Sequence, residues 1–186
     1  MPIYLDHPQW WWRGRRWSHL ISDTSIDELH AFARDADLRY LSFGRDHYDV
    51  PEDLFDRCQT LGATLADPRD IVRMLRHSGL RDGRGKSFKS WRSTSPASVA
   101  AAAGDAALAS IEILADAVGT ASADAEWLTR PGELVVLFRV ASAPPDLAAR
   151  VPAPSDLGGI ERIVVTTWND EWFIEGVIPL AAAPAP

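Results

Sequence analysis

The stretch Ser18-His19-Leu20-Ile21-Ser22-Asp23-Thr24-Ser25-Ile26-Asp27-Glu28-Leu29-His30-Ala31-Phe32-Ala33 changes its period midway, and that change decides the fold class. Ser18 to Ser22 reads as a short strand that ends at Asp23. Ser25 and Glu28 then stand at the spacing of a capping box: the hydroxyl accepts from the N3 amide while the carboxylate reaches back. Beyond them Ile26, Leu29, Phe32, Ala33 and Ala36 recur on one helical face.

Outward from this core, Ile3-Tyr4-Leu5 reads as a buried strand ending at Asp6, His7 and Pro8, since proline ends ladder pairing. Leu38 to Phe43 suits a third strand closed by Gly44. Pro51 fits the first position of a second helix, with Leu54, Phe55, Cys58 and Leu61 on its apolar side and Gly62 at its end. A brief Ala63-Thr64-Leu65 strand precedes a third helix opened by Asp67-Pro68 and ended by Gly79. Strands alternating with helices predict an α/β domain over residues 1–80, on a small parallel or mixed sheet.

Residues 81–95, with Arg81, Arg84, Lys86, Lys89 and Arg92 among Gly and Ser, read as a basic linker. Residues 96–180 read as an α+β module. An Ala-rich helix, Ala97 to Val118, carries a break at Gly104-Asp105. Strands at Glu133 to Ala141, Arg162 to Thr167 and Trp172 to Ile178 follow, the last two joined by a turn at Asn169-Asp170. The Ala/Pro tail, 181–186, is expected to be disordered.

Charge divides the chain in the same way. Residues 1–94 hold fifteen Lys/Arg against fourteen Asp/Glu and all five histidines, whereas residues 95–186 hold four against twelve. With the chain at −7, a nucleic-acid binder acting through its whole surface is disfavoured, because phosphate attraction needs a basic face. A single cysteine, Cys58, excludes a disulfide framework and a Cys-rich zinc site. No apolar run reaches the roughly eighteen residues of a membrane span, and Met1 to Asp6 does not read as a secretory signal. The cytoplasm, with no membrane partner, is the expected location.

The chemistry concentrates in the first half. His19, Asp23, His30, His47 and Asp49 are imidazole and carboxylate groups, the ligands that suit Zn, Mn or Fe. Three or four of them with one open position would make a bound water nucleophilic near neutral pH. If the three strands are parallel neighbours, Asp6, Asp23 and His47 converge outside their carboxyl ends. Simpler roles stand beside these: Asp23 and Asp49 as helix caps, His19 as a hydrogen-bonded core residue, His30 at the border of a buried face. Without a metal, His47 with Asp49 or Asp46 forms an acid–base pair, and Arg45 supplies a fork for phosphate. A phosphate-containing ligand is the expected partner, and hydrolysis or plain binding the expected use.

The competing reading uses Trp10, Trp11, Trp12, Arg13, Arg15, Arg16 and Trp17. Indoles stack bases and guanidinium groups grip phosphate, so these residues, extended by the basic linker, suit single-stranded nucleic acid. The chain's overall acidity favours instead a tryptophan lid packed over the sheet, with its arginines stacked on the rings. A protein interaction module is the further form of this reading.

Several of the same residues carry a resemblance. Ile3-Tyr4-Leu5-Asp6, Trp17-Ser18-His19-Leu20-Ile21-Ser22-Asp23-Thr24, Glu28-Leu29-His30-Ala31, Asp46-His47-Tyr48-Asp49-Val50-Pro51 and Leu61-Gly62-Ala63 together resemble the bacterial and phage family called domain of unknown function 4031. The resemblance covers roughly residues 1–90 and implies an organisation but no activity. Residues 95–186 fall outside it.

Overall fold

The computed structural model describes residues 3–81, 90–141, 143–168 and 171–180. Two compact units, 1–85 and 86–186, divide the chain. In the first, the strands are β1 (Ile3–Leu5), β2 (Trp10–Trp12), β3 (Arg15–Ser22), β4 (Tyr48–Pro51) and β5 (Thr64–Leu65). The helices are α1 (Ile26–Asp35), α2 (Glu52–Thr60) and α3 (Pro68–His77).

β3 is the central strand of this sheet. Trp17 pairs with both Trp10 and Pro51, and Leu20 with both Leu5 and Tyr48, so β2 and β1 follow one another along one edge of β3 while β4 takes the other. All three run antiparallel to β3, and only β5 is parallel to its neighbour, β1. The sheet is therefore mixed, and the expected parallel convergence of Asp6, Asp23 and His47 is corrected: antiparallel strands put the carboxyl ends of β1 and β3 at opposite ends of the ladder.

β3 starts three residues earlier than its sequence suggested, because the tryptophans pair. Arg13 (φ 51°) and Gly14 (φ 79°) form a two-residue turn between β2 and β3, and left-handed conformations at both centres match the twist of a hairpin. Leu38 to Phe43 is not a strand. It holds a 3₁₀ turn at Tyr40–Ser42, and the pairing edge goes instead to β4, with a single bridge from Phe43 to Tyr48. Leu38, Tyr40 and Phe43 are still buried, so the apolar run was real and its period misleading.

The helix starts follow their caps. Ser25 Oγ accepts from the Glu28 amide at 3.1 Å, but Glu28 does not close the box. Its carboxylate takes the Ser22 hydroxyl at 2.5 Å, and Ser22 Oγ in turn accepts from the amides of Thr24 and Ser25. Asp67 caps α3 by accepting from the Arg69 amide, and Pro51 lies one residue outside α2 as its cap. Along β3 alternate residues share a face. Ile21 packs with Tyr4 and with Ile71, Met74 and Leu75 of α3, whereas Leu20 is fully buried on the other side. His19 and Trp17 continue the Ile21 face beyond that α3 contact.

The second unit is β6 (Arg92–Ser93), α4 (Pro96–Ala103), α5 (Asp105–Val118), β7 (Glu126–Arg130), β8 (Glu133–Val140), α6 (Leu147–Arg150), β9 (Arg162–Trp168) and β10 (Glu171–Pro179). Its sheet is antiparallel throughout, in the order β6-β7-β8-β10-β9. Ile111, Leu114 and Val118 of α5 pack on Leu134, Val136, Phe138, Ile174 and Ile178. Gly104, at φ 79°, separates α4 from α5 where the sequence suggested a break. Arg92 and Ser93, placed in the basic linker by sequence, pair with Thr129 and Leu128; Arg84, Lys86 and Lys89, the Asn169-Asp170 turn and the 181–186 tail lie outside the described residues. Among the described residues no helix is long and apolar enough to cross a membrane.

Candidate metal centre

The polar residues gather where three chain segments lie side by side. Asp6, just past β1, donates its amide to the His19 carbonyl, and His19 pairs with Asp49 across the other edge of β3. Asp6, His19 and Asp49 therefore form a row across the sheet. His47 joins it from the turn before β4: the Gly44 amide donates to the His47 carbonyl at 2.7 Å, closing the turn, and His47 and Asp49 are two residues apart. The His47 imidazole lies over Gly44, where an added Cβ would meet ring atoms at 2.7 to 3.2 Å. Glycine at 44 is thus what lets the ring fold back.

Each imidazole is held by a buried carboxylate at Nδ1. Asp6, with its side chain 4% exposed, accepts from the His19 amide at 2.6 Å through Oδ1 and contacts His19 Nδ1 at 2.9 Å through Oδ2. Asp46, whose side chain is fully buried, meets His47 Nδ1 at 2.5 Å, and Arg81 Nε lies 4.0 Å from its other oxygen. With Nδ1 occupied, Nε2 is the nitrogen left for a ligand on each ring. His47 Nε2 is already 3.4 Å from Asp49 Oδ1. One ligand atom each from His19, His47 and Asp49 fall within 4.8 Å of one another. The two rings stand edge to face, with centroids 5.4 Å apart.

His47 is electrostatically unusual. Burial disfavours its charged form, but hydrogen bonds to Asp46 and Asp49 and their negative charges outweigh burial, and its pKa is raised to about 9. At neutral pH the His47 ring, without an ion, is therefore an imidazolium between two carboxylates. A divalent cation would replace that ring proton with its own charge.

Two expected ligands are not part of this centre. Asp23 follows Ser22, which pairs with Ile3, so it lies four residues, roughly 13 Å, along the strand from His19. There it faces Tyr4: burial, then the charge and hydrogen bond of Asp23, raise the phenol pKa above its ordinary value. His30 is on the opposite face, its Nδ1 2.7 Å from the Tyr48 hydroxyl and its ring packed on Phe43 and Tyr40. Asp49 is a strand residue facing His47, not a helix cap. Cys58 is fully buried in α2, and burial pushes its thiol pKa up to about 12, against a smaller lowering by Arg57, which leaves it no role as a nucleophile.

The supporting carboxylates were only half visible from sequence. Asp46 flanks His47 and was recognisable as a partner, whereas the contact of Asp6 with His19 depends on a pairing register that no local pattern encodes. Trp10 was expected in a nucleic-acid surface or in a lid over the sheet and not beside the histidines, yet its ring stacks on His19 at 5.7 Å and on Trp17 at 5.8 Å. Arg15 is ion-paired to Asp53 at 2.9 Å, and Arg13 lies over the Trp12 ring at 4.3 Å.

Residues 3–78 match the family model described as protein of unknown function (DUF4031). The DUF4031 region thus holds every residue of the centre and all of the Trp/Arg hairpin, and the remainder of the chain is unmatched. No curated protein and no solved structure matches the chain.

Proposed function

We propose that the DUF4031 region holds a divalent ion, zinc, manganese or iron, on His19 Nε2, His47 Nε2 and an Asp49 oxygen, and uses it to hydrolyse a phosphate-containing ligand. One observation carries this reading: two imidazoles, each with Nδ1 fixed by its own buried carboxylate, share a small volume with a third carboxylate. Such second carboxylates orient metal-binding histidines and raise their basicity. Nothing in a plain structural role asks for the arrangement twice in one place.

Three protein ligands leave a position for water, the pattern of catalytic centres. An ion bound there would supply hydroxide near neutral pH and offset charge on the phosphoryl oxygens. With an ion in place, Asp6 and Asp46 would hold the Nδ1 protons of the two rings and so leave each Nε2 to the ion. Arg45, at φ 72° in the turn two residues before His47, is the arginine nearest to His47 in the chain and would be the guanidinium for phosphate.

The test is the metal content of the purified full chain beside His47→Ala, followed by a screen of phosphoesters with the metal-loaded protein. Near-stoichiometric metal in the parent, lost from a folded His47→Ala, is the expected result. A parent that takes up no zinc, manganese or iron after incubation and dialysis would overturn the metal reading. Weight would then pass to His47 as a metal-free acid–base residue, for which its pKa of about 9 already supplies a proton donor.

A further inference from the structure

The rings beside the centre form a continuous run. From His47 the next ring is His19 at 5.4 Å, then Trp10 at 5.7 Å, then Trp12 at 6.4 Å, with Trp17 packed against both tryptophans. The strand register explains the run: Trp10 and Trp17 are directly paired, and Trp17 and His19 share one face of β3. Trp17 Nε1 donates to the Trp12 carbonyl at 2.8 Å, which ties the shelf to its own hairpin.

This run is not sealed. Trp12 keeps 46% of its surface exposed, and Trp11 and Trp12 are the only aromatics among the exposed large hydrophobic residues described. Trp10 Nε1 is buried and has no hydrogen-bond partner among the described residues, although buried indole N–H groups usually find one. Trp127 Nε1 in the second unit is also buried with no hydrogen-bond partner among the described residues, so it is the open Trp12 ring that sets this run apart from a lid serving only to cover the sheet. Trp11 and Arg16 face each other in the register on the other side of the hairpin and take no part in the run.

We infer that the ligand of this centre is a nucleotide unit, its phosphate at His19, His47 and Asp49 and its base stacked on the Trp10–Trp12 shelf. The inference rests on the metal reading above and names its substrate class. A flat base suits an indole platform regardless of its sequence identity. The guanidinium of Arg13, already on Trp12, can close on the base or turn to a neighbouring phosphate. Free nucleotides and single-stranded nucleic acid share this chemistry. Residues 3–78 carry ten Lys/Arg against thirteen Asp/Glu, a net acidic balance that favours recognition of one or two nucleotides over a long phosphate track.

The experiment measures binding of AMP, adenosine, ribose 5-phosphate and the oligonucleotide dT10 to the full chain, by tryptophan fluorescence and calorimetry, with zinc and after chelation. Expected is AMP binding about fivefold to a hundredfold tighter than ribose 5-phosphate, the range of one base–aromatic stack. Trp12→Ala removes that preference and Trp12→Phe keeps most of it. Equal binding of AMP and ribose 5-phosphate in the parent, or a preference that survives Trp12→Ala, overturns the inference. The metal reading still stands in that case if ribose 5-phosphate binding needs zinc. The converse result, an adenosine preference that is lost in Trp12→Ala while zinc changes nothing, supports the shelf and overturns the metal reading. Binding of dT10 much tighter than AMP assigns the nucleotide to a single strand, and equal binding assigns it to a free nucleotide.

Discussion

His19 and His30 approach the same pair of strands from opposite sides. His19 projects from β3 on the face that carries Trp17, beside Asp49 of the neighbouring β4. His30 comes from α1 and reaches Tyr48, one residue before Asp49 and therefore on the other face. One histidine is about a third exposed and held by a carboxylate; the other is almost fully buried and held by a phenol among aromatic rings. The carboxylate leaves a basic nitrogen available for an ion, whereas the phenol and its ring neighbours use the imidazole as packing. Position on the pleat, not residue type, assigns the two roles.

The sharpest break of this comparison is His47→Ala against His30→Ala. Removing His47 takes a ligand atom from the centre, and zinc affinity measured by competition with a chelating dye should fall by more than about a hundredfold; stability falls as well, because Asp46 is left buried without its imidazolium partner. Removing His30 should cost stability alone and spare the ion. It empties space beside Tyr40, Phe43 and Tyr48 and takes away the contact at the Tyr48 hydroxyl, for an expected loss of about 2–4 kcal/mol in urea unfolding. Zinc affinity in that variant should match the parent. A large loss of zinc in His30→Ala without unfolding would place both histidines in one site and refute the division.

Asp6→Asn tests the support behind the metal face. Asparagine keeps an oxygen for the His19 amide but presents an NH₂ to His19 Nδ1, which must then accept. The ring proton moves to Nε2, the nitrogen the ion needs. Zinc affinity should drop about 10–100-fold, as expected for a carboxylate behind a ligand. An unchanged affinity would mean that Asp6 merely ends β1.

Acidity gives a smaller, graded test. The folded pKa of His47, about 9, lies above its ordinary 6.5, so below pH 9 an ion must expel its proton to bind. Apparent zinc affinity should rise by about tenfold per pH unit between pH 7 and 9 and flatten above. A flat profile over that interval would show that His47 does not ligate.

How much of this could be read beforehand follows from the same geometry. The strand, cap and periodic face at Ser18 to Ala36 are local features, and they announced β3, Ser25 as a cap and α1. His47 stood out as a polar loop residue for which packing offered no use. Asp23 and His30 were grouped with it because sequence shows which residues are near in the chain but not which face or strand end they occupy. Leu38 to Phe43 failed for a related reason: a short apolar run serves a buried 3₁₀ turn as well as a strand. The row Asp6–His19–Asp49 depends on antiparallel pairing of distant segments, which only the fold supplies.

The smallest predicted effect has the opposite sign. Ser18 precedes His19 on β3 and so faces the apolar side with Leu20, where its hydroxyl is buried with no hydrogen-bond partner among the described residues. A buried hydroxyl without a partner loses its hydration for nothing in return. Ser18→Ala should therefore leave stability unchanged or raise it by up to about 1 kcal/mol. Zinc affinity should not move, since Ser18 and the ion lie on opposite faces of one strand. A clear destabilisation would show that the hydroxyl does find a partner, such as a trapped water, and that the inner face of the ladder is less purely apolar than its register implies.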